Sequence, residues 1–361
     1  MRSFIKSVKV LALLAALGLV AAACGDGGDD ADSGDDADSG EPDEISFVQP
    51  LPPSAIYYPS IVAETLGFFE EENLEAELLT AGDLTEAALL DQGDADVAFT
   101  GFAEVMQGIV QGIDYEVVYD GNHLAVEGIV TLADSNIEEL ADLEGQTVGL
   151  ASDSDLAFLN VALGFAGLGE DDVETVVAGT SGPTLANAFE SDQIQAFAGA
   201  ASDSAAMTGA GIELRFITPD ELAENPGGSA IVLRDVIDER ADVLERFFRA
   251  WSKAQYVGVV APDVVEAVGR EVAPEEWENP DVGLASMEGA IERNTPSSDL
   301  HGEVRPDVWE SAVQQLVDAG EIEEATPTEE FLNDQFIEAA NDWDRDEVEA
   351  QAREWLEENG G

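Results

Sequence analysis

Short apolar runs alternate with stretches of helical periodicity through the first two thirds of the chain after residue 44. Ile45-Ser46-Phe47-Val48 predicts a strand, followed by the proline-rich loop QPLPPS and a helix from about Pro59. On that helix Ile61, Val62, Leu66 and Phe69 fall on one face. LEAELL (Leu74–Leu79) predicts the next strand, LTEAALLDQG a helix closed by Gly93, and DVAFTG a third strand. YEVVYD, GIVTLA, GQTVGLA (Gly145–Ala151), VETVVAG (Val173–Gly179), IQAFAGA (Ile194–Ala200) and IELRFIT (Ile212–Thr218) continue the series. Alternation of this kind predicts α/β architecture with mainly parallel sheets, because a parallel connection needs a crossover helix. Beyond Val236 the pattern turns helical. Val243, Leu244, Phe247, Phe248 and Trp251 form one apolar stripe, which predicts a core-facing side.

The first residues follow a different rule. Arg2, Lys6 and Lys9 precede the uncharged stretch Val10 to Ala23, which is too short for a bilayer-spanning helix and long enough for a secretory signal. Ala21-Ala22-Ala23 supplies small residues at a cleavage site directly ahead of Cys24, the single cysteine of the 361 residues. This junction resembles the lipobox of bacterial lipoproteins, with Ala21 in place of the usual leucine. The resemblance implies a signal peptide over residues 1–23 and lipidation of Cys24. Residues 24–44 then read as a tether. They hold DDADSG twice and almost nothing apolar, so an extended, self-repelling leash is expected.

Charge narrows the partners. Formal net charge is −64, from 78 acidic against 14 basic residues. A nucleic-acid partner is excluded, since binding phosphate takes a basic face. Repulsion on this scale is tolerable where salt screens it over a few ångströms, which implies a high-salt habitat. At 45% hydrophobic residues the body after the tether is a folded one, long enough for two domains. With Cys24 assigned, it has no thiol for a disulfide or a metal, and no metal site or cofactor is expected. Its two histidines, His123 and His301, show no ligand spacing.

AIYYPSIVAETLGFFEEENLEAELLTAGD is the most specific stretch. It resembles the opening of the nitrate/sulfonate/thiamine-precursor family of ABC-transporter substrate-binding proteins, in which a first helix ends in Ala-x-x-x-Gly-Phe-Phe-x-x-x-Gly-Leu. Ala63, Gly67, Phe68, Phe69 and Leu74 match. Asn73 replaces the glycine, and asparagine is the best substitute in a left-handed cap. ALLDQGDADVAFTGF, LADLEGQTVGLASDSDLAFLNVAL and GLGEDDVETVVAG match in the same order. The resemblance implies a two-lobed periplasmic-binding-protein type II fold with extra C-terminal helices. Lobe one would comprise residues 45–127, lobe two residues 128–227, and residues 228–361 would return to lobe one. It further implies an extracytoplasmic, membrane-anchored monomer that hands a small solute to an ABC permease and is not an enzyme. A pyrimidine-synthase-like enzyme of the same fold and a sensing lipoprotein are the competing readings. The enzyme type uses cysteine and histidine with iron, and the folded part of this chain has no cysteine.

In open α/β sheets ligands bind beyond the carboxyl ends of strands. That rule selects Ser54, Tyr57 and Tyr58; Thr80 and Gly82; Thr100, Gly101 and Phe102; Asn122 and His123; Ser152 and Ser154; Thr180 and Ser181; Ser202 and Asp203. The two tyrosines suit stacking on a flat ligand, and Asp203 an amino group. Ser154 and Ser181 equally suit plain helix capping. GTSGPT has no lysine, which excludes a nucleotide P-loop. No Lys or Arg occurs between Val10 and Leu214, so Arg215 or Arg234 is the expected source of any cation in the cleft. This balance favours a neutral or weakly cationic flat solute, within the family a thiamine pyrimidine precursor, over nitrate, a sulfonate or taurine. From the charge alone, the midpoint of thermal unfolding should rise as NaCl goes from about 0.1 M to 1 M, over which the screening length falls from about 10 to 3 Å. Differential scanning fluorimetry reads this directly, and an unchanged midpoint would remove the high-salt reading.

Overall fold

The computed structural model describes residues 40–81, 84–152 and 155–360. The signal segment, Cys24 and most of the expected tether lie outside the described residues. Among the described residues ten strands form two five-stranded sheets. The first holds β1 (Asp43–Gln49), β2 (Leu74–Thr80), β3 (Val97–Thr100), β4 (Tyr115–Asn122) and β10 (Gly228–Leu233), in the order β2-β1-β3-β10-β4. The second holds β5 (Glu127–Leu132), β6 (Thr147–Leu150), β7 (Glu174–Val177), β8 (Ala196–Ala200) and β9 (Leu214–Phe216), in the order β7-β6-β8-β5-β9. The two orders have the same form. In each sheet four strands are parallel and one runs antiparallel to both of its neighbours: β10 between β3 and β4, and β5 between β8 and β9. Those reversed strands are the ones the chain enters on crossing from one sheet to the other, so both sheets point their carboxyl ends at the crossing. The mainly parallel sheets follow the apolar pattern. β10 lies outside it, as a continuous buried run with no alternation to read.

Local chemistry accounts for the ends of elements. Asn73 sits at φ +52°, in the left-handed region its position predicts, and Gly93 at +73° closes the helix Glu86–Asp91. The stripe Val243, Leu244, Phe247, Phe248 and Trp251 is buried along the helix Arg234–Val260. Phe247 lies 5.5 Å from both Phe47 of β1 and Phe69, and stacks flat on the latter. This helix seals the first sheet. Smaller apolar groups cover the two faces of the second, one around Leu159 and Leu163, the other around Leu185 and Phe189.

The crossing segments are packed backbone to backbone. Gly227 N–H donates to the Asn122 carbonyl at 3.1 Å, and Ala125 N–H to that of Ala223 at 2.9 Å. A Cβ on Gly227 would lie 2.0 Å from the Leu124 carbonyl oxygen, so no side chain fits there. The C-terminal helices reinforce this junction. The helix Pro280–Asn294 lies against Ala201–Gly209, close enough that a Cβ on Gly209 would meet Val282 at 2.3 Å. The helix Pro306–Ala319 drives Trp309 into the first core between Phe102 and Phe331, where its indole N–H donates to buried Asp120. Replacing Gly227 by alanine should lower the unfolding free energy by about 2 kcal/mol, the usual cost of overpacking against backbone that cannot move aside. Urea denaturation monitored by tryptophan fluorescence checks it, and wild-type stability would show that the crossing is looser than this packing.

Candidate functional site

A cavity of about 440 Å³ opens at the carboxyl ends of the sheets, beside the crossing. The turn after β1 supplies Pro50 and Leu51, and the short helix Ala55–Tyr57 supplies Ile56 and Tyr57. The end of β3 brings Phe99, Thr100 and Gly101, and that of β8 Ala200 with the following Ala201 and Ser202. The crossing itself contributes Asn122, Val126, Glu127, Gly227 and Gly228. Trp251, from the long helix, stacks on Phe99 at 4.1 Å between ring centroids and makes an aromatic floor. Ala290, Arg293 and Asn294 close the wall from the helix Pro280–Asn294.

Asn122 is held by a chain of buried polar groups. Asn294 Nδ2 donates to Asn122 Oδ1 at 2.9 Å, Gln255 Nε2 donates to Asn294 Oδ1 at 2.9 Å, and the Tyr119 hydroxyl donates to Gln255 Oε1. Gln255 Nε2 also reaches the Gly121 carbonyl at 2.8 Å. The linked side chains fix one wall at a defined geometry.

Charge in the cavity is lopsided. Glu86, Glu104 and Glu127 line it together with Arg293. Burial pushes the Glu127 carboxyl up to about 7, and the neighbouring Glu104 adds to the shift while Arg293 opposes it. Burial also raises Glu86, whose carboxylate accepts from the Thr100 hydroxyl at 3.5 Å. Burial lowers the Arg293 guanidinium against the pull of Glu292, Tyr57 and Glu127. Tyr57 is half-buried, and burial followed by Glu86 pushes its phenol upward. A site of this composition can hold a flat ring by stacking, an amine by carboxylates, and an oxygen acceptor by a guanidinium.

Of the residues selected from sequence, Tyr57, Thr100, Gly101, Asn122 and Ser202 line the cavity. Gly82 and Ser154 lie outside the described residues. The others face elsewhere. Tyr58 is fully buried and its hydroxyl donates to the Gln255 carbonyl, filling a gap that Gly258 leaves in the long helix. Ser54 caps the helix Ala55–Tyr57 through Ile56 N–H at 3.0 Å. Thr80 ends the edge strand β2 and is exposed. Phe102 packs on Trp309. His123 is 2% exposed, and burial with Arg305 beside it lowers its imidazole to about 3. Ser152 bonds Asp155, and Thr180 and Ser181 are exposed, with Ser181 at the start of the helix Gly182–Glu190 but making no side-chain cap. Asp203 turns back to accept from Ala200 N–H at 3.2 Å, and burial raises its carboxyl to about 6. The expected cations are engaged as well. Arg215 donates to the carbonyls of Ala133 and Ile137, and Arg234 pairs with Asp114 and Glu116. Arg293 occupies the role expected of them, because the C-terminal helix, rather than the strands, forms that wall. Glu86, Glu104 and Glu127 were hidden among 78 acids, with only their nearness to strand ends to mark them.

The fold defines a two-lobed α/β architecture of the periplasmic-binding-protein type II form. The chain matches the NMT1/THI5-like family over residues 55–263, more than half its length, and belongs to that family. A Haemophilus influenzae protein named for thiamine biosynthesis is 32% identical over 118 residues, which is 32% of this chain and 38% of that relative. Among solved structures, the periplasmic aliphatic sulphonate binding protein SsuA from Escherichia coli superposes with a TM-score of 0.64 at 15% identity, over 82% of this chain and 97% of its own. A protein from Bordetella bronchiseptica RB50 gives 0.60 at 18% identity, over 89% and 99%. The desulfurization enzyme DszB gives 0.58 at 16% identity, over 82% and 98%. At these identities the likeness is one of fold.

Acids whose folded pKa lies above the unfolded value bind protons more tightly when folded, so their contribution to stability is lost as pH rises through that interval. Glu127, Asp203 and buried Asp120, also raised to about 6, place the interval between pH 4 and 7. Stability of the unliganded protein should fall across it, and Glu127→Gln should flatten the upper half of the fall. Urea midpoints at pH 5, 6, 7 and 8 check the sign, and a variant with the wild-type slope would contradict it.

Proposed function

We propose that this protein captures a small organic solute outside the cytoplasm and presents it to the permease of an ABC importer, held at the membrane through Cys24. The observation that carries the reading is a cavity lined from both sheets and from both crossing segments. A solute in that position touches each lobe and the hinge between them, so it favours whichever arrangement closes around it. Binding rather than catalysis is supported by the lining. No cysteine occurs in residues 45–361, and neither His123 nor His301 lines the cavity.

The solute we favour is a flat, vitamin-like compound such as a thiamine pyrimidine precursor. Tyr57 and the Phe99–Trp251 pair offer ring faces, the glutamates suit amino groups, and the curated relative is named for thiamine biosynthesis. A second reading, a sulfonate, nitrate or taurine as solute, draws on Arg293 in the wall and on the sulphonate-binding neighbours of the same fold.

A thermal-shift screen tests the reading, since a solute bound only by the folded state raises the midpoint by mass action. The panel comprises hydroxymethyl- and aminomethyl-pyrimidines, riboflavin, taurine, alkanesulfonates, nitrate and amino acids. At about 100 times Kd the stabilisation is about 2.7 kcal/mol, several degrees for a chain of this size. A shift with pyrimidines is the expected outcome. A shift with alkanesulfonates alone would favour the second solute class and keep the importer function, whereas no shift with any compound would overturn solute binding.

A further inference from the structure

The described residues include eleven lysines and arginines. Ten of them hold a carboxylate or a backbone carbonyl: Arg215, Arg234, Arg240, Arg246, Arg249, Lys253, Arg270, Arg305, Arg345 and Arg353. The eleventh, Arg293, makes no side-chain hydrogen bond or ion pair among the described residues, and it is the one that lines the cavity. The same holds for the acids opposite it. Glu104 and Glu127 accept no side-chain or backbone hydrogen bond from another described residue, and Glu86 has only the Thr100 hydroxyl. In a protein with 78 acids, an arginine that closes an ion pair with none of the described carboxylates is held so by the fold. Arg293 comes from the last turn of Pro280–Asn294, Glu127 opens β5, and Glu104 lies in the first turn of Phe102–Gln111. These three walls keep opposite charges apart around an open space. Partly desolvated charges without partners are unfavourable, and a solute that supplies both partners relieves both.

We propose that the solute is dipolar, with a protonatable nitrogen seated against Glu127, flanked by Glu86 and Glu104, and an oxygen acceptor that takes the Arg293 N–H groups. The inference rests on the solute-binding reading above and sharpens its substrate class. A simple anion such as nitrate or an alkanesulfonate meets Arg293 but leaves three glutamates facing it. A simple amine satisfies the glutamates but leaves the guanidinium bare. A molecule with an amino nitrogen at one end and a hydroxyl, carbonyl, carboxylate or sulfonate oxygen at the other matches both sides.

Proton traffic follows from the same geometry. The charged groups facing Glu127 are Glu104 on the helix Phe102–Gln111, Asp155 on Asp155–Phe165, and Arg293 on Pro280–Asn294, with the Tyr57 phenol, Glu86 on Glu86–Asp91 in the same cavity and, next to Asp155, Asp203. An ammonium placed among these acids favours the ionised carboxylate, so Glu127 gives up its proton to solvent as such a solute enters. Binding of an ammonium solute should therefore release protons near neutral pH and tighten between pH 6 and 8.

Isothermal titration calorimetry on the full chain tests the pairing with four probes: 4-amino-5-hydroxymethyl-2-methylpyrimidine, taurine, ethanesulfonate and ethylamine. The first two carry both groups, differing in whether the oxygen is a hydroxyl or a sulfonate, and the last two carry one group each. One of the first two should bind at least tenfold more tightly than either singly functional probe, roughly the worth of one charge-assisted hydrogen bond. Glu127→Gln and Arg293→Gln should each weaken it by about tenfold. With taurine, whose nitrogen is an ammonium, Glu127→Gln should also abolish the proton release, read from the dependence of the heat on buffer ionisation, a change that a merely structural defect would not produce. Urea midpoints confirm that both variants fold. Ethanesulfonate binding as tightly as taurine, or affinity unaffected by Glu127→Gln, would overturn the dipolar assignment and leave the solute-binding function standing. Silence of all four probes would overturn both.

Discussion

The structure depends on bringing a late helix that carries five basic side chains against an early acidic sheet. Between Val10 and Leu214 the chain has no lysine or arginine, so the acids of the first sheet have no local counter-charge. The helix Arg234–Val260 provides it. Arg234 meets Asp114 and Glu116, Arg240 meets Asp96 at 2.5 Å, Arg246 meets Asp43 at 2.6 Å, and Arg249 and Lys253 meet Glu72 at 2.8 and 3.0 Å. Each exposed pair alone is worth at most about 1 kcal/mol. Together they line up on the helix whose opposite side buries Phe247, Phe248 and Trp251. Apolar burial supplies the driving force, and the charge pairs fix which way the helix lies.

That docking sets the site. Once the helix lies on the sheet, Trp251 is delivered to Phe99 and becomes the cavity floor, and Gln255 reaches Gly121 and Asn294. The helix Pro280–Asn294, tied to Asn122 through Asn294, then turns Arg293 into the space between the sheets. The cavity is therefore built from parts remote in sequence, the strand ends of both lobes and one C-terminal wall. The crossing at Gly227 and Asn122 joins the two sheets beside it.

The same charge logic separates this cavity from the rest of the surface. Elsewhere among the described residues every cation is matched. In the cleft one cation and three acids are held apart. An apolar floor and a hydrogen-bonded amide network around them make rearranging the walls costly.

Much of the architecture was legible in the chain. Strand after strand could be read from short apolar runs, since a buried parallel strand excludes polar residues from both faces. The left-handed turn at Asn73 and the helix stop at Gly93 followed from backbone sterics. The stripe of the long helix followed from its period. Tyr57, Thr100, Gly101, Asn122 and Ser202 were legible as residues near the cavity because strand carboxyl ends converge in such folds. Tyr58 and Tyr57 could not be told apart, since a rotation of one residue on a helix decides whether a side chain faces core or cleft. Sequence by itself determined the elements and the deficit of positive charge, because both are local sums. Only the tertiary structure decided that Arg293 rather than Arg215 or Arg234 stands in the cleft. It likewise decided that Glu86, Glu104 and Glu127, of 78 acids, face it, because those choices belong to the docking of helices well over a hundred residues away.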